Sequence, residues 1–271
     1  MHDGAPFRLA PYPMLEFTLD PMTLTLLAGV AFLAGYIAAI AGGGGLLTVP
    51  ALLMAGVPPH LAIGTNKLSS TFGSATAAYT FDRRKLFHPR QWRHALLATA
   101  LGAGIGALVA HHLSADFLNQ LLPVVVFSCA LYLLFGGTPK APVLSDAPVP
   151  QRRQWPQGLT LGAYDGLFGP GTGAFWTVSS LLLYPLDLLK ASGVARTMNF
   201  VSNGVALVMF IALGQVLWVL GLTMGLSLTL GAYLGARSAI AGGAKFIRPV
   251  FICVVLALTV KLIWQHWFGA A

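Results

Sequence analysis

Ala41-Gly42-Gly43-Gly44-Gly45-Leu46-Leu47-Thr48-Val49-Pro50 is the stretch on which the reading of this chain turns. Four consecutive glycines interrupt an apolar run that begins near residue 22. A short apolar segment follows, and Lys67 then sits inside the next apolar run. In water such a break is an ordinary loop. Inside a bilayer, non-helical backbone is tolerated only where protein buries it or where it lines a cavity.

The composition decides between these settings. Of 271 residues, 56% are hydrophobic and 9% charged, with a mean hydropathy of +0.74. A soluble domain carries about 25% charged residues, so this chain cannot cover its own surface in water. It reads as an all-α polytopic membrane protein with the lipid bilayer as its first partner. The formal charge of +8 is concentrated, with Arg83, Arg84, Lys85, Arg90 and Arg93 crowding one loop. That is a topology signal rather than a nucleic-acid footprint. Cys129 and Cys253 lie in apolar runs and read as small buried hydrophobes. No Cys or His pattern suits a metal, and no cofactor is expected. Residues 1–21 form a tail without the cationic and apolar regions of a cleaved signal.

Apolar segments fall at about 22–41, 46–56, 61–81, 95–112 and 118–136, then at 158–168, 173–185, 191–212, 218–239 and 246–267. A spanning helix needs about 20 apolar residues. Segments 46–56, 158–168 and 173–185 fall short and read as parts of broken or re-entrant hairpins. A Pro-rich polar stretch, 137–156, links repeat 1 (22–136) to repeat 2 (157–271). A constant shift of 129 residues superposes the two. Gly42 and Gly44 fall on Gly171 and Gly173, Thr48-Val49 on Thr177-Val178, and Lys67 on Arg196. Leu101-Gly102-Ala103 falls on Leu230-Gly231-Ala232.

Charge sets the expected orientation. Loop 82–94 and the linker, with Lys140, Arg152 and Arg153, belong in the cytoplasm. The turn at Leu213–Val216 and the stretch His111–Asp116 carry no Lys or Arg and belong outside. Each half is then one hairpin plus three spans, so the halves are antiparallel and both termini lie outside. This is the inverted-repeat plan of secondary transporters, in which alternating access rocks one repeat against the other.

The candidate site follows from that plan. Gly42, Gly43, Gly44 and Gly45 form one break, and Gly169, Gly171, Thr172 and Gly173 form the other. Each is followed by a short helix whose free N–H groups and positive dipole end suit an anion; close helix packing is the alternative use of such glycines. Lys67 and Arg196 are cations inside apolar runs, a costly placement that points to function unless they snorkel to headgroups. Thr65, Asn66, Ser70, Asn199 and Asn203 lie on the same helices, as substrate-orienting donors or as interhelical contacts. Asp165 either takes a coupling proton or pairs with Arg196, and at the 129-residue shift its mate is Tyr36. Lys261 reads as snorkelling, and Gly102-x-Gly104-x-Gly106 as a packing face. There is no GxSxG, HExxH or carboxylate pair, which leaves nothing for an enzyme.

These motifs resemble those of the sulfite exporter TauE/SafE family, the 4-toluene-sulfonate-uptake type of permease. Those that carry the resemblance are Gly42–Gly45 with Pro50, Gly64-Thr65-Asn66-Lys67, Tyr164-Asp165-Gly166-Leu167-Phe168-Gly169-Pro170-Gly171-Thr172-Gly173, and Asn199-Phe200-Val201-Ser202-Asn203. The similarity runs over about 20–268. It implies a bacterial inner-membrane permease for a sulfur-containing anion such as sulfite or an organosulfonate. A coupling proton or sodium ion and a homodimer are compatible with it, and an anion channel or a carrier of another small organic anion is the alternative. One departure is Arg196, where related sequences often carry Lys; Arg offers a planar fork and holds its proton.

Overall fold

The computed structural model describes residues 20–118, 120–122, 124 and 150–268, with side chains as far as 243. The linker up to 149, Cys129, both termini and the side chains of Cys253 and Lys261 lie outside the described residues. Eight helices are delimited there: α1 (Pro21–Ala41), α2 (Gly45–Met54), α3 (Pro59–Asp82), α4 (Arg93–His112), α5 (Gln151–Leu167), α6 (Thr172–Leu183), α7 (Leu188–Ala212) and α8 (Trp218–Phe268). A further helical stretch starts at 115. α8 is broken at Gly243 (φ 55°, ψ −152°).

Local chemistry accounts for these boundaries. α1 begins with Pro21 behind Asp20, whose carboxylate accepts from the Thr23 N–H at 3.3 Å, and α7 begins with Asp187 accepting from Lys190 N–H at 2.7 Å. α1 ends where Gly42 takes φ 73°, a backbone state that favours glycine. α1, α4, α7 and the Trp218–Gly243 part of α8 are long and apolar enough to cross a bilayer. α3 has 24 residues but is less apolar, because Thr65, Asn66, Lys67 and Ser69 are polar and buried. α2 and α6, with 10 and 12 residues, are well short of the roughly 20 that a crossing needs.

α5 begins six residues inside the stretch read as linker. Gln154 and Gln157 look like loop residues, yet both are buried because distant groups satisfy them. Gln154 accepts from the Ala95 N–H of the first turn of α4 at 3.1 Å and donates to Gln91 O at 2.8 Å. Gln157 donates to Ser179 Oγ at 2.8 Å and accepts from the Tyr184 hydroxyl at 2.8 Å. Burial pushes the Tyr184 hydroxyl up to about 12, with Arg153 pulling partway back, so it remains a donor.

On α4 and α8 large apolar side chains face outward. On α4, Leu97, Leu101, Ile105 and Leu108 face outward while Ala98, Gly102, Ala103, Gly106 and Ala107 are buried. On α8, Val219, Leu222, Leu226 and Leu230 form the corresponding outer stripe. Extended apolar faces of this kind suit lipid, and small residues inside let backbones approach closely.

The closest approaches come in pairs that exchange the two halves. A Cβ on Gly102 would lie 2.8 Å from Ala163 N, and one on Gly231 would lie 2.9 Å from Tyr36 N. A Cβ on Gly106 would meet Ala163 O, and one on Gly235 would meet Tyr36 O. Thus α4 packs on α5 as α8 packs on α1. The shift is 129 residues between α4 and α8 but 127 between α1 and α5. The two extra residues are absorbed at the second break, where α6 is longer than α2, 12 residues against 10. Ala38, not Tyr36, therefore stands where Asp165 stands in the other half.

Contacts also sort the helix ends. Gln215 Nε2 lies 3.0 Å from His111 Nδ1, and His60 Nε2 lies 3.0 Å from Leu113 O, so the starts of α3 and α8 and the ends of α4 and α7 share one end of the molecule. At the other end Trp92 meets Tyr184 edge to face with ring centroids 4.9 Å apart, and Phe81, Leu86, Leu188 and Ala239 cluster. That second end carries Arg83, Arg84, Lys85, Arg90, Arg93, Arg152, Arg153, Lys190 and Arg237; among the described side chains the first end has no Lys or Arg. α3 runs toward the basic end and α7 away from it.

Candidate functional site

The two glycine breaks meet in the middle of the molecule. A Cβ on Gly42 would fall 2.5 Å from Ala174 N and 2.9 Å from Arg196 Nη1, and one on Gly45 would fall 3.2 Å from Pro170 Cα. Gly42 (φ 73°) and Gly169 (φ 95°) adopt backbone states closed to most side chains. The glycines allow the chain both to turn and to pass this closely. The first turns of α2 and α6 use most of their own N–H groups, Leu46 donating to Gly43 O, Thr172 to Gly169 O and Ala174 to Gly171 O; Gly45 and Gly173, whose N–H groups are not among these, border a shared cavity of about 50 Å³.

Lining that cavity are Gly43, Gly44, Gly45, Asn66, Ser70, Asp165, Gly169, Gly171, Thr172, Gly173, Arg196, Asn199 and Asn203, all read from the sequence. Ala38, Gly73 and Ser74 join them, and these carried no charge or break to mark them. Three of the expected residues do not line it. Gly42 is pressed against Gly173 and Ala174. Thr65 Oγ1 accepts from the Leu217 N–H at 3.0 Å and so fixes the start of α8. Lys67 lies behind the wall.

Lys67 is held there by Asp165. Its Nζ donates to Asp165 Oδ1 at 2.8 Å and to the Asp165 backbone carbonyl. Asp165 Oδ2 accepts from Ser202 Oγ and, at 3.5 Å, from Asn203 Nδ2. Asp165 therefore pairs with Lys67 and not with Arg196, because the end of α5 delivers it beside α3. Ser202 is a site residue that sequence reasoning passed over; its position three residues after Asn199 was the available signal.

Arg196 presents the opposite case. It is 2% exposed. Its Nη1 donates to the Ala38 backbone carbonyl, while Nε and Nη2 have no hydrogen-bond partner. The Asn199 Oδ1 nearby is also unpartnered. Asn66, which lines the cavity, accepts through Oδ1 from Thr48 Oγ1 at 2.5 Å and from Ser70 Oγ at 3.3 Å. A buried cation without a counterion is strongly unfavourable. Together with two helix N-termini it forms an electropositive pocket. A cavity needs about 10–15 Å³ of such volume for each water-sized group, so this one has room for about three to five of them.

Comparison with known proteins agrees with a membrane carrier. The model of the sulfite exporter TauE/SafE family matches residues 27–262. "Probable membrane transporter protein ORF9" of a Sinorhizobium species is 41% identical, covering 89% of this chain and 92% of its own. A "Probable membrane transporter protein" of Haemophilus influenzae is 39% identical, covering 90% and 96%. "Probable membrane transporter protein YfcA" of Escherichia coli K12 is 37% identical, covering 93% and 97%. No solved structure gave a significant match.

Proposed function

The chain belongs to the sulfite exporter TauE/SafE family, and from that premise we propose that it is a secondary transporter for a small anion, a sulfur oxyanion such as sulfite, working by alternating access. The observation that carries the anion reading is the buried Arg196 guanidinium, two of whose nitrogens lack partners, facing a cavity lined by the starts of α2 and α6. In this reading Arg196 supplies charge, Gly43–Gly45, Gly171 and Gly173 supply backbone donors, and Asn66, Asn199 and Asn203 orient the ion. The cavity volume favours sulfite over a bulky sulfonate.

The family name and the relatives' names support a transporter and not an enzyme. The opposed directions of α3 and α7 and the paired contacts across the halves support an inverted repeat. The gathering of basic residues at one end supports an inner-membrane orientation with loop 82–94 and the linker in the cytoplasm and the start of α1 on the periplasmic side. A coupling proton or sodium ion and a homodimer complete the proposal. Thermal unfolding of the purified protein against sulfite, thiosulfate, sulfonates, carboxylates and sodium tests it. An anion at 100 times its dissociation constant stabilises by about 2.7 kcal/mol. A panel with no anion hit, or with stabilisation by cations alone, overturns the reading.

A further inference from the structure

The two halves hold their cations in the same way up to one atom group. Lys67 Nζ donates to the backbone carbonyl of Asp165, and Arg196 Nη1 donates to the backbone carbonyl of Ala38. A Cβ on Gly169 would lie 2.8 Å from Lys67 Nζ, and one on Gly42 would lie 2.9 Å from Arg196 Nη1. Residues 38 and 165 differ by the 127 that relates α1 to α5, and residues 67 and 196 by the 129 that relates the other helix pairs. The environments match, but Asp165 carries a carboxylate that completes an ion pair at 2.8 Å, and Ala38 carries a methyl group.

We infer that the transported ion takes, at Arg196, the place that the Asp165 side chain takes at Lys67. The inference rests on the anion-site reading above and narrows it. The ligand is a singly charged oxyanion with two oxygens at carboxylate-like spacing, one per chain, its oxygens on the unpartnered Nε and Nη2 of Arg196. Charge balance gives the same answer. The cavity and its wall hold Lys67, Arg196 and Asp165 and no other ionisable side chain among the described residues, a net charge of one positive that one monoanion neutralises. Arg suits this half because its fork accepts two oxygens at once, whereas the Lys67 ammonium is a point charge held by a fixed partner. A38D would then supply an internal copy of the ligand.

The test is calorimetric titration of the purified full-length protein with sodium hydrogensulfite, with sodium chloride as the control for charge without a fork. Wild type should bind about one anion. A38D should lose affinity by about 100-fold or more while the ligand-free protein melts higher, and A38N, of the same size without the charge, should lose no more than about ten-fold. D165A, which vacates the carboxylate at Lys67, should raise the count from about one anion to about two, and this decides the matter if A38D does not fold. If A38D binds hydrogensulfite as wild type does, if A38N blocks as fully as A38D, or if D165A still binds one anion, the substitution of ligand for carboxylate is wrong and the anion site itself stands. If wild type binds no anion at all, both fall.

Discussion

Lys67 and Arg196 occupy corresponding places in α3 and α7, and their fates differ. Lys67 is paired with Asp165, whose other carboxylate oxygen accepts from Ser202 and Asn203. Arg196 lines the cavity and is left with two buried nitrogens without a hydrogen-bond partner. The helices, the glycine breaks and the carbonyl contacts are shared, so the backbone decides where each cation sits. A single residue, Asp165 or Ala38, decides whether it is structural or available. Two matching backbone settings thereby hold one cation in an ion pair and leave the other with two nitrogens unpartnered.

Breaking the strut should have the largest effect on stability. Lys67→Met leaves Asp165 buried without its cation, and loss of one partner of a buried pair costs about 3–5 kcal/mol; the melting temperature and yield in detergent measure it. Removing both partners with Lys67→Met and Asp165→Leu should recover most of that loss. Arg196→Gln should behave in the reverse sense. Anion affinity falls by about 100-fold, or about 2.8 kcal/mol at 1.4 kcal/mol per factor of ten, while the ligand-free protein melts no lower. Equal melting losses in K67M and R196Q would erase the contrast. The symmetric part of the comparison is tested by Gly106→Ala and Gly235→Ala, which each push a methyl group onto a backbone carbonyl of the neighbouring helix. Matching losses of about 1–3 kcal/mol are expected, and a large difference between the two would deny the equivalence of the halves. The smallest effect is at Asp187→Ala, which removes the α7 cap and costs about 1 kcal/mol, with anion affinity unchanged.

Much of the fold could be read from local pattern. The apolar runs, the breaks at Gly42–Gly45 and Gly169–Gly173 and the membrane setting all have short-range signatures. Most residues expected at the site do border one cavity. What escaped reading depends on partners far along the chain. Gln154 looks like linker until Gln91 and Ala95 are brought to it, and Gln157, at the first position of the second half, is held by Ser179 and Tyr184. Asp165 could have served either cation, and the choice of Lys67, 98 positions away, is made by helix packing. A single shift of 129 aligned Asp165 with Tyr36. The two residues taken up at the second break move its counterpart to Ala38, and no ungapped comparison reveals that.

The interlocked glycines of α4 and α8 have a mechanical consequence. α4 belongs to the first half of the sequence and its closest neighbour α5 to the second; α8 belongs to the second half and its neighbour α1 to the first. Prising one half of the sequence from the other would therefore tear Gly106 from Ala163 and Gly235 from Tyr36. Sliding the α1–α8 pair against the α4–α5 pair disturbs neither contact. The tightest seams of this molecule do not follow the midpoint of its sequence: each closely packed pair is a hybrid, spliced from one helix of either half.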